Sequence, residues 1–516
     1  MGIRAGLLAT GLLATGLLAA GCTVGPDFVP PGSPSSASWL AGHPSPTAAE
    51  TSLPVPEPID PAWWALFNDA ELTTLVNRVA ASNLDVRLAT IRLAQSRAQR
   101  GVVASAEFPA LNTNASYTRE KPSAQGIFGA FGGSSGASAS GAGGGTSAGG
   151  TGAGTGGIQG ISIAPFDLYQ YGFDASWELD LWGRVRRSVE SADASIDASA
   201  EARRDTLLNN LAELVRDYVQ LRGVQADIAI TEQNAGTAQE TLRLTQSRAD
   251  SGLTPFLDVV SARSQLTSIQ AGLPQLRQQE AQLINAIGLL LGETPGVLRA
   301  ELMTPKPIPP VPPRVPVGLP SELARRRPDI REAEAQLHAA TADIGVAVAN
   351  FYPTVTLSGS VGIQALQPKN LFNSLAGQYA FGPSLTVPIF EGGRLKSTLE
   401  LRQQQQQAAA LNYQKIVLQA LNEVDDALTA FALEQPRHDS LVASTRDSQT
   451  ALNLASQLYA RGLGDYLQVL DAQRTLLSVQ ARATDSNTAL STDLVALYKA
   501  LGGGWETTFP AQTASR

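Results

Sequence analysis

Apolar residues recur with helical spacing along two long stretches of the chain. In the first stretch, which runs from Gly183 to Gly252 without a proline, apolar residues follow one another at steps of four, three, four and three. These positions are Leu207, Leu211, Leu214, Tyr218 and Leu221. Such a heptad pattern predicts a long helix with one buried seam. At about 1.5 Å per residue, this helix would be roughly 105 Å long.

A second stretch of equal length runs from Gly393 to Gly462, and a glycine is the expected C-terminal stop of each long helix. Pro436 is expected to kink or interrupt the second helix. Further helical segments are predicted at 70–107, 255–291, 321–350 and 465–501. The segments that follow Gly252 and Gly462 should fold back along the long helices.

Between the helices, apolar and polar residues alternate in four segments. These segments lie at about 110–118, 168–180, 354–362 and 378–388. In the second of them, Tyr169, Tyr171 and Phe173 alternate with Gln170 and Gly172. A period of two with one apolar and one polar face predicts a half-buried strand. A length of about 10 residues also suits a transmembrane β-strand, and a soluble β-sandwich stays the alternative.

The chain repeats itself. Asn83-Leu-Asp-Val-Arg87 returns 244 residues later as Arg327-Pro-Asp-Ile-Arg331, and Ser251-Gly-Leu253 returns 210 residues later as Arg461-Gly-Leu463. The surplus of 34 residues lies in the first copy, where residues 125–160 are almost all Gly, Ser and Ala and predict a flexible loop. The expected organisation is a first repeat at 61–302, a Pro-rich linker at 303–320, a second repeat at 321–502 and a C-terminal tail at 503–516.

Four strands in one chain cannot close a barrel. An open sheet edge in lipid would leave backbone N–H and C=O groups unsatisfied, so the chain is expected to share a barrel with copies of itself. Two chains would give 8 strands and a filled interior, whereas three would give 12 strands and leave a lumen. The polar faces of the strands favour a water-filled pore.

The N-terminus carries the only cysteine of the chain, Cys22. Residues 1–21 hold one early cation, Arg4, and then an uncharged run of Leu, Ala and Gly, which is the layout of a secretory signal peptide. The run ends at Ala19-Ala-Gly-Cys22, which resembles a bacterial lipobox and predicts cleavage before Cys22 and its acylation, with palmitate among the acyl chains. Residues 22–60 would then form a lipidated N-terminal segment, and Thr23 favours the outer membrane. The alternative is ordinary signal cleavage with a free thiol.

The composition excludes several classes of function. A net charge of −8 argues against nucleic acid, which needs a basic surface. With one cysteine and three histidines, a structural zinc site is not expected, and neither is any other metal or cofactor. The glycine-rich tract contains no lysine and precedes no helix start, so it is not expected to bind phosphate.

Four motifs then occur in order along the chain. They are Trp63-Trp-x-x-Phe67, Trp177-Glu-Leu-Asp-Leu-Trp-Gly-Arg184, Leu323-Ala-Arg-Arg-Arg-Pro-Asp-Ile-Arg331 and Tyr466-Leu-Gln-Val-Leu-Asp-Ala-Gln473. Together they resemble the outer-membrane factor lipoproteins of tripartite efflux systems, the OprM/TolC-like ducts, over roughly residues 22–502.

The resemblance implies a mainly α-helical, internally duplicated protein with membrane β-strands. Three identical chains would share a 12-stranded β-barrel in the outer membrane and a long α-helical barrel across the periplasm. A periplasmic adaptor (membrane fusion) protein and an inner-membrane pump would dock at the far tip, and outer-membrane lipid would surround the barrel. The implied function is a passive exit duct for drugs and other toxic small molecules, with no catalytic activity.

The same resemblance places a gate at the two helix–turn–helix tips. By motif position, Asp258, Asp471 and Arg474 match residues that constrict or lock the periplasmic end of relatives, and Tyr459 matches a tip tyrosine. A charge ring in a narrow pore sets selectivity, and Asp–Arg links between neighbouring helices would hold the tips closed. Gln468 stands where some relatives have an acidic residue, which would thin the ring. The alternative is that Asp471 and Arg474 form only a surface ion pair, contributing less than about 1 kcal/mol.

Three other functions compete with this hypothesis. A duct for type I protein secretion belongs to the same class, but the lipobox favours small-molecule efflux. A lipid-anchored periplasmic enzyme such as a glycosidase would need two carboxylates across a cleft, for which Glu178 and Asp180 are the candidates. A coiled-coil spacer would leave the alternating strands unexplained.

Overall fold

The computed structural model describes residues 23–32, 52–121 and 165–509. The predicted signal peptide, Cys22, the glycine-rich loop 125–160, part of the N-terminal segment and the end of the C-terminal tail lie outside the described residues. The chain forms two compact units, one built on a β-sheet and one helical, and each is described by itself.

Strands and helices are numbered along the chain. The strands are β1 Leu53–Val55, β2 Ala110–Glu120, β3 Phe166–Leu179, β4 Arg314–Pro316, β5 Thr354–Ala365 and β6 Gly377–Thr386. The helices are α1 Ala70–Ser82, α2 Leu84–Ala104, α3 Arg184–Asp250, α4 Phe256–Leu291, α5 Arg299–Leu302, α6 Leu323–Arg326, α7 Pro328–Ala349, α8 Arg394–Ala460 and α9 Tyr466–Ala500. The described chain is mainly helical, as the sequence predicts.

Among the described residues, the β unit comprises 102–121, 165–188 and 345–398 with the short segment 23–25. Its four antiparallel strands lie in the order β2-β3-β5-β6, so that one hairpin from each repeat meets at the centre of the sheet. The register pairs Gly172 with Gly362. A Cβ atom on Gly172 would lie 2.8 Å from the carbonyl oxygen of Val361, so this close pairing of the two repeats requires glycine.

The sheet has one apolar and one polar face. Its register pairs Phe173 with Val361 and Val361 with Tyr379, which puts the odd-numbered residues of all four strands on the apolar face. On the other face, the amide nitrogen of Asn114 donates a hydrogen bond of 2.7 Å to Asp174. The large apolar side chains are solvent-exposed in the single chain, Tyr379 at 78% and Phe381 at 81%.

Among the described residues, the helical unit comprises 26–32, 52–101, 189–344 and 399–509. All five residues of the predicted heptad seam are at most 1% exposed, so the seam is confirmed. Trp63 stacks on Tyr498 with ring centroids 5.4 Å apart, and its indole N–H donates to the carbonyl of Gly503 at 3.1 Å. The tryptophan motif therefore ties the first repeat to the end of the second by burial of large aromatic rings.

The long helices of the two repeats match closely. Both α3 and α8 contain 67 residues, and α8 begins and ends 210 residues after α3. Pro436 lies inside α8 without interrupting it, so the expected interruption is wrong. A proline inside a helix costs about 3 kcal/mol. The residues just before it are held by tertiary contacts, since Phe431 and Gln435 are buried and the Gln435 amide bonds to the backbone N–H and carbonyl of Ser52. No helix in the described ranges has an apolar stretch long enough to cross a membrane.

Three details differ from the sequence prediction. The predicted helical segment 321–350 is divided at Arg327, which has an extended backbone, into α6 and α7. The first short helical segment is broken at Asn83, whose side-chain oxygen accepts the N–H groups of Asp85 and Val86 at 2.9 and 3.0 Å and so caps α2. The Pro-rich segment 303–320 contains β4, which pairs in parallel with β1 and buries Val315 completely. Strands of three residues are too short to show alternation, and this segment packs as part of the helical unit.

Candidate functional site

The helical unit contains two helix–turn–helix tips that share one backbone design. At the first tip, Gly252 has a φ of +73° and its N–H donates to the carbonyl of Ala249, while the N–H of Leu253 donates to that of Arg248. At the second tip, Gly462 has a φ of +74° and the two hydrogen bonds recur 210 residues later. This is the Schellman motif, in which glycine takes the left-handed conformation that ends a helix.

Tyr459, one of the predicted gate residues, lies at the centre of the tip packing. It is 3% exposed and packs edge-on against Tyr466, with ring centroids 5.9 Å apart. Its hydroxyl donates to the side-chain oxygen of Thr245 on α3 at 3.4 Å. Tyr459 therefore joins α8 to α3 and α9 within one chain.

Arg248 reinforces the same junction, although the sequence analysis did not identify it. Its guanidinium donates hydrogen bonds to the backbone carbonyls of Tyr459 at 3.0 Å and Ala460 at 3.4 Å. The guanidinium carbon also lies 4.9 Å from the centroid of the Tyr459 ring. A cation that bonds the last carbonyls of a helix satisfies unpaired acceptors and complements the helix dipole. We call this set of contacts the Arg248 clamp.

A second pair of links joins α9 to the other repeat. Arg474 donates from Nε to the side-chain oxygen of Gln265 on α4 at 3.0 Å. The neighbouring Gln473 donates to the hydroxyl of Thr241 on α3 at 2.9 Å. The predicted gate residue Arg474 thus bonds to a neutral amide within its own chain.

The two predicted gate aspartates lie in different environments. Asp258 is half-buried in the first turn of α4 and accepts a hydrogen bond from the hydroxyl of Thr254. Asp471 is exposed and has no ion pair or hydrogen bond to its side chain in the described residues. An Asp471–Arg474 surface pair, the alternative considered above, is therefore not present within one chain.

Tyr466 sits beneath this cluster. Its side chain is 2% exposed, and its hydroxyl has no hydrogen-bond partner among the described residues. Burial, followed by the proximity of Tyr459 and Asp258, raises the pKa of Tyr466 to about 12. The phenol therefore stays neutral and acts as an apolar packing element at the tip.

The two repeats differ where the tip contacts are made. The position of Arg248 in the first repeat is taken by Leu458 in the second, and Phe256, which is 66% exposed, corresponds to the buried Tyr466. The difference between Arg248 and Leu458 is the one sequence signal that could have drawn attention to Arg248. It becomes visible when the two tips are aligned at the 210-residue offset.

Each tip also exposes apolar side chains. Leu253, Leu257, Leu463 and Leu467 are 68–72% exposed. Leu253 corresponds to Leu463 and Leu257 to Leu467 at the same 210-residue offset. Exposed leucines that recur at equivalent places on both tips indicate a contact surface for another molecule.

The carboxylates considered for an enzyme have structural roles in the β unit. Glu178 pairs with Arg184 at 2.6 Å. Asp180 accepts the backbone N–H groups of Val185 and Arg186 at 3.1 and 2.9 Å and caps α3. In the parts of the chain that the structure describes, no group of three His, Cys, Asp or Glu side chains is arranged to hold a metal ion.

The sequence of this chain is similar to those of proteins of bacterial efflux systems. A family model described as "Outer membrane efflux protein" matches residues 75–293 and 319–503. The probable efflux pump outer membrane protein TtgC of Pseudomonas putida is 30% identical over 492 residues, covering 94% of this chain and 93% of that protein. The cation efflux system protein CusC of Escherichia coli is 28% identical, covering 94% and 96%.

Solved structures agree with the sequence comparison. The outer-membrane channel OprN matches with a TM-score of 0.81 at 33% identity, covering 94% of this chain and all of that chain. The open state of the MtrE outer membrane channel of Neisseria gonorrhoeae matches with a TM-score of 0.73 at 27% identity, covering 94% and 99%.

Proposed function

The chain belongs to the outer membrane efflux protein family, and we propose that it is the passive exit duct of a tripartite efflux pump for small toxic molecules. It is an outer membrane protein that extends into the periplasm, as its relatives are. In this proposal the chain carries out no catalysis and needs no cofactor. Substrate movement is driven by the inner-membrane pump.

The observation that carries the proposal is the open, two-faced sheet. Strands β2 and β6 are its edges, and neither has a partner in the described chain on its outer side. An apolar face suits lipid and a polar face suits a water-filled lumen, but open edges cannot persist in lipid. A homotrimer removes the edges by joining β6 of one chain to β2 of the next in a 12-stranded barrel.

Oligomeric state tests this step. Native mass spectrometry of the full chain extracted in mild detergent should give three copies of the 54.0 kDa precursor chain, less the signal peptide and plus the acyl chains. A substitution of Phe381 by Asp on the apolar face should impair membrane insertion, whereas the same change at Ser384 on the polar face should not. A monomer would contradict the shared barrel.

We further propose that Cys22 is the lipid anchor. The lipobox-like sequence Ala19-Ala-Gly-Cys22 and the absence of any second cysteine in the sequence support it. Mass spectrometry of the mature N-terminus should show an acylated Cys22, and an unmodified thiol there would contradict the anchor.

The tip geometry supports a gate made of two kinds of link. Within each chain, Tyr459 and the Arg248 clamp hold α8 to α3. Between chains, Asp471 is free to accept an ion pair from an arginine of the neighbouring chain, and Arg474 keeps terminal N–H groups beyond its bond to Gln265. Asp258 would add negative charge at the constriction.

The partners in this proposal are a periplasmic adaptor protein and an inner-membrane pump. The exposed leucines at both tips supply the apolar surface on which the adaptor docks. Substitution of Leu253 and Leu463 by Ser should weaken adaptor binding while the purified duct keeps its conductance. Unchanged adaptor affinity would show that the adaptor does not dock on these leucines.

A further inference from the structure

A polar cavity of about 660 Å³ lies in the helical unit, away from the tips. Arginines from three helices line it: Arg97 on α2, Arg203 and Arg204 on α3, and Arg331 on α7. They face three carboxylates, Asp197, Glu201 and Glu334, so the lining carries a net positive charge. The volume lies within the range of small-ligand sites.

Two of the four arginines form no direct ion pair within the described ranges, although the charge of Glu201 acts on Arg203. Arg204 and Arg331 share one carboxylate, Glu201, and Arg331 lies 2.7 Å from it. Neither Arg97 nor Arg203 forms an ion pair in the described part of the chain. Two guanidinium groups with no carboxylate partner at one cavity leave hydrogen-bond donors and charge available for an anion.

Arg203 is held in place by contacts that do not neutralise it. Its guanidinium lies 3.9 Å from the centroid of the Phe509 ring, and its Nε atom is buried with no hydrogen-bond partner among the residues that the structure describes. Burial and the nearby charges of Arg204 and Arg97 lower the pKa of Arg203. A bound oxyanion would offset the repulsion among these cations and favour the charged guanidinium, as Asp329 and Glu423 do for Arg327, whose pKa is raised.

The cavity also lies close, along the chain, to the proposed membrane anchor. Phe28 lines it and stacks on His338 with ring centroids 4.4 Å apart. Only six residues separate Phe28 from Cys22, and six residues span at most about 20 Å. If Cys22 is acylated at the inner surface of the outer membrane, Phe28 at the cavity lies no more than about 20 Å from that surface.

We propose that this cavity binds the phosphate headgroup of an anionic phospholipid through Arg97 and Arg203. We choose a lipid rather than a free phosphate as the ligand because Phe28, which lines the cavity, follows the proposed anchor Cys22 by six positions. The proposal depends on the acylation of Cys22 only to bring the cavity close to membrane lipid. Headgroup binding itself depends on residues of the helical unit.

The test uses the full chain in detergent with dioctanoyl phosphatidylglycerol, followed by native mass spectrometry. R97Q should weaken retention of the lipid by about tenfold, the loss expected for one charge-assisted hydrogen bond, and R97Q/R203Q should abolish it. The matched control is R87Q/R92Q, which removes two exposed α2 arginines that do not line the cavity. Arg97 is exposed, so R97Q is not expected to disturb folding. Loss of lipid in this single variant therefore tests the site even if R97Q/R203Q folds poorly.

Three results would overturn the proposal. The first is equal retention by wild type and R97Q/R203Q. The second is equal retention of dioctanoyl phosphatidylcholine, whose headgroup is neutral overall, and the third is binding of inorganic phosphate without binding of the lipid. Conductance of the same samples in planar bilayers reports on the duct separately, so a failed lipid site and a failed duct are distinguishable.

Discussion

Replacing Arg248 by Ala is expected to loosen the periplasmic tip of each chain. The change removes the hydrogen bonds to the carbonyls of Tyr459 and Ala460, at 3.0 and 3.4 Å, and the stacking over the Tyr459 ring. The carbonyls at the end of α8 then lose their cationic cap. The buried contact between Tyr459 and Thr245 stays as the remaining link between α8 and α3 in this cluster.

The size of the effect follows from these contacts. A hydrogen bond from a charged donor contributes about 1.5–3 kcal/mol, and a partly exposed cation–π contact about 0.5–1 kcal/mol. The 3.4 Å bond adds little, and solvent at the tip screens part of the total, so the loss is about 2 kcal/mol per chain. A change of about 2 kcal/mol shifts an open–closed equilibrium by roughly 30-fold. Arg248→Lys keeps the charge but loses the planar guanidinium. Its open–closed equilibrium should lie between those of Arg248→Ala and wild type.

Single-channel recording in planar bilayers measures this shift. Arg248→Ala should raise the mean conductance and the time spent in open levels, while the melting temperature of the helical unit falls by only a few degrees. Arg243→Ala, an exposed arginine on the same helix with no partner in the described chain, is the control and should match wild type. Wild-type conductance in a correctly assembled Arg248→Ala duct would refute the role of the clamp.

Three further predictions concern side chains of the helical unit. Asp471→Ala combined with Arg474→Ala should raise conductance in planar bilayers because links between chains are lost, and unchanged conductance would remove both residues from the gate. Burial, followed by the charge of Asp485, raises the pKa of Asp227 to about 6 in the folded protein. Between about pH 4 and pH 6 the folded protein therefore keeps this proton, whereas the unfolded chain releases it. The free energy of unfolding falls over that range as the pH rises. Asp227→Asn should therefore stabilise the protein by about 1–3 kcal/mol at pH 7.5 and not at all near pH 4, measured by thermal unfolding across pH; equal gains at both pH values would contradict the assigned charge. Tyr466→Phe removes a buried hydroxyl that has no hydrogen-bond partner within the described ranges, so it should leave the melting temperature unchanged or raise it. A clear loss of stability would show that the hydroxyl is bonded.

The sequence predicted the elements whose patterns are long. The heptad from Leu207 to Leu221 fixes one face of α3 over four turns, and its burial follows directly from the spacing. The alternation through Phe173 and Val361 identified both faces of the sheet because a strand's side chains change face at every residue. The repeat offset then located the matching helix α8.

Short elements and side-chain contacts between distant segments were not predictable in the same way. β4 has three residues and two prolines nearby, so it carries no periodic signal, and its position depends on pairing with β1. Arg248 was missed because its role is to bond backbone carbonyls 211 and 212 residues away. Asp471 and Arg474 are three residues apart on one helix, which suggested a pair, but the rotation of α9 directs Arg474 to Gln265.

The central claim is that the chain forms a conducting duct across the outer membrane. The most direct test is the electrical conductance of the purified, detergent-extracted wild-type protein in planar bilayers. We expect channels of small conductance that are closed most of the time, because the contacts at the helix–turn–helix tips hold the periplasmic end shut. A protein that inserts into the bilayer as a folded assembly and passes no current, even after Arg248→Ala, would contradict it.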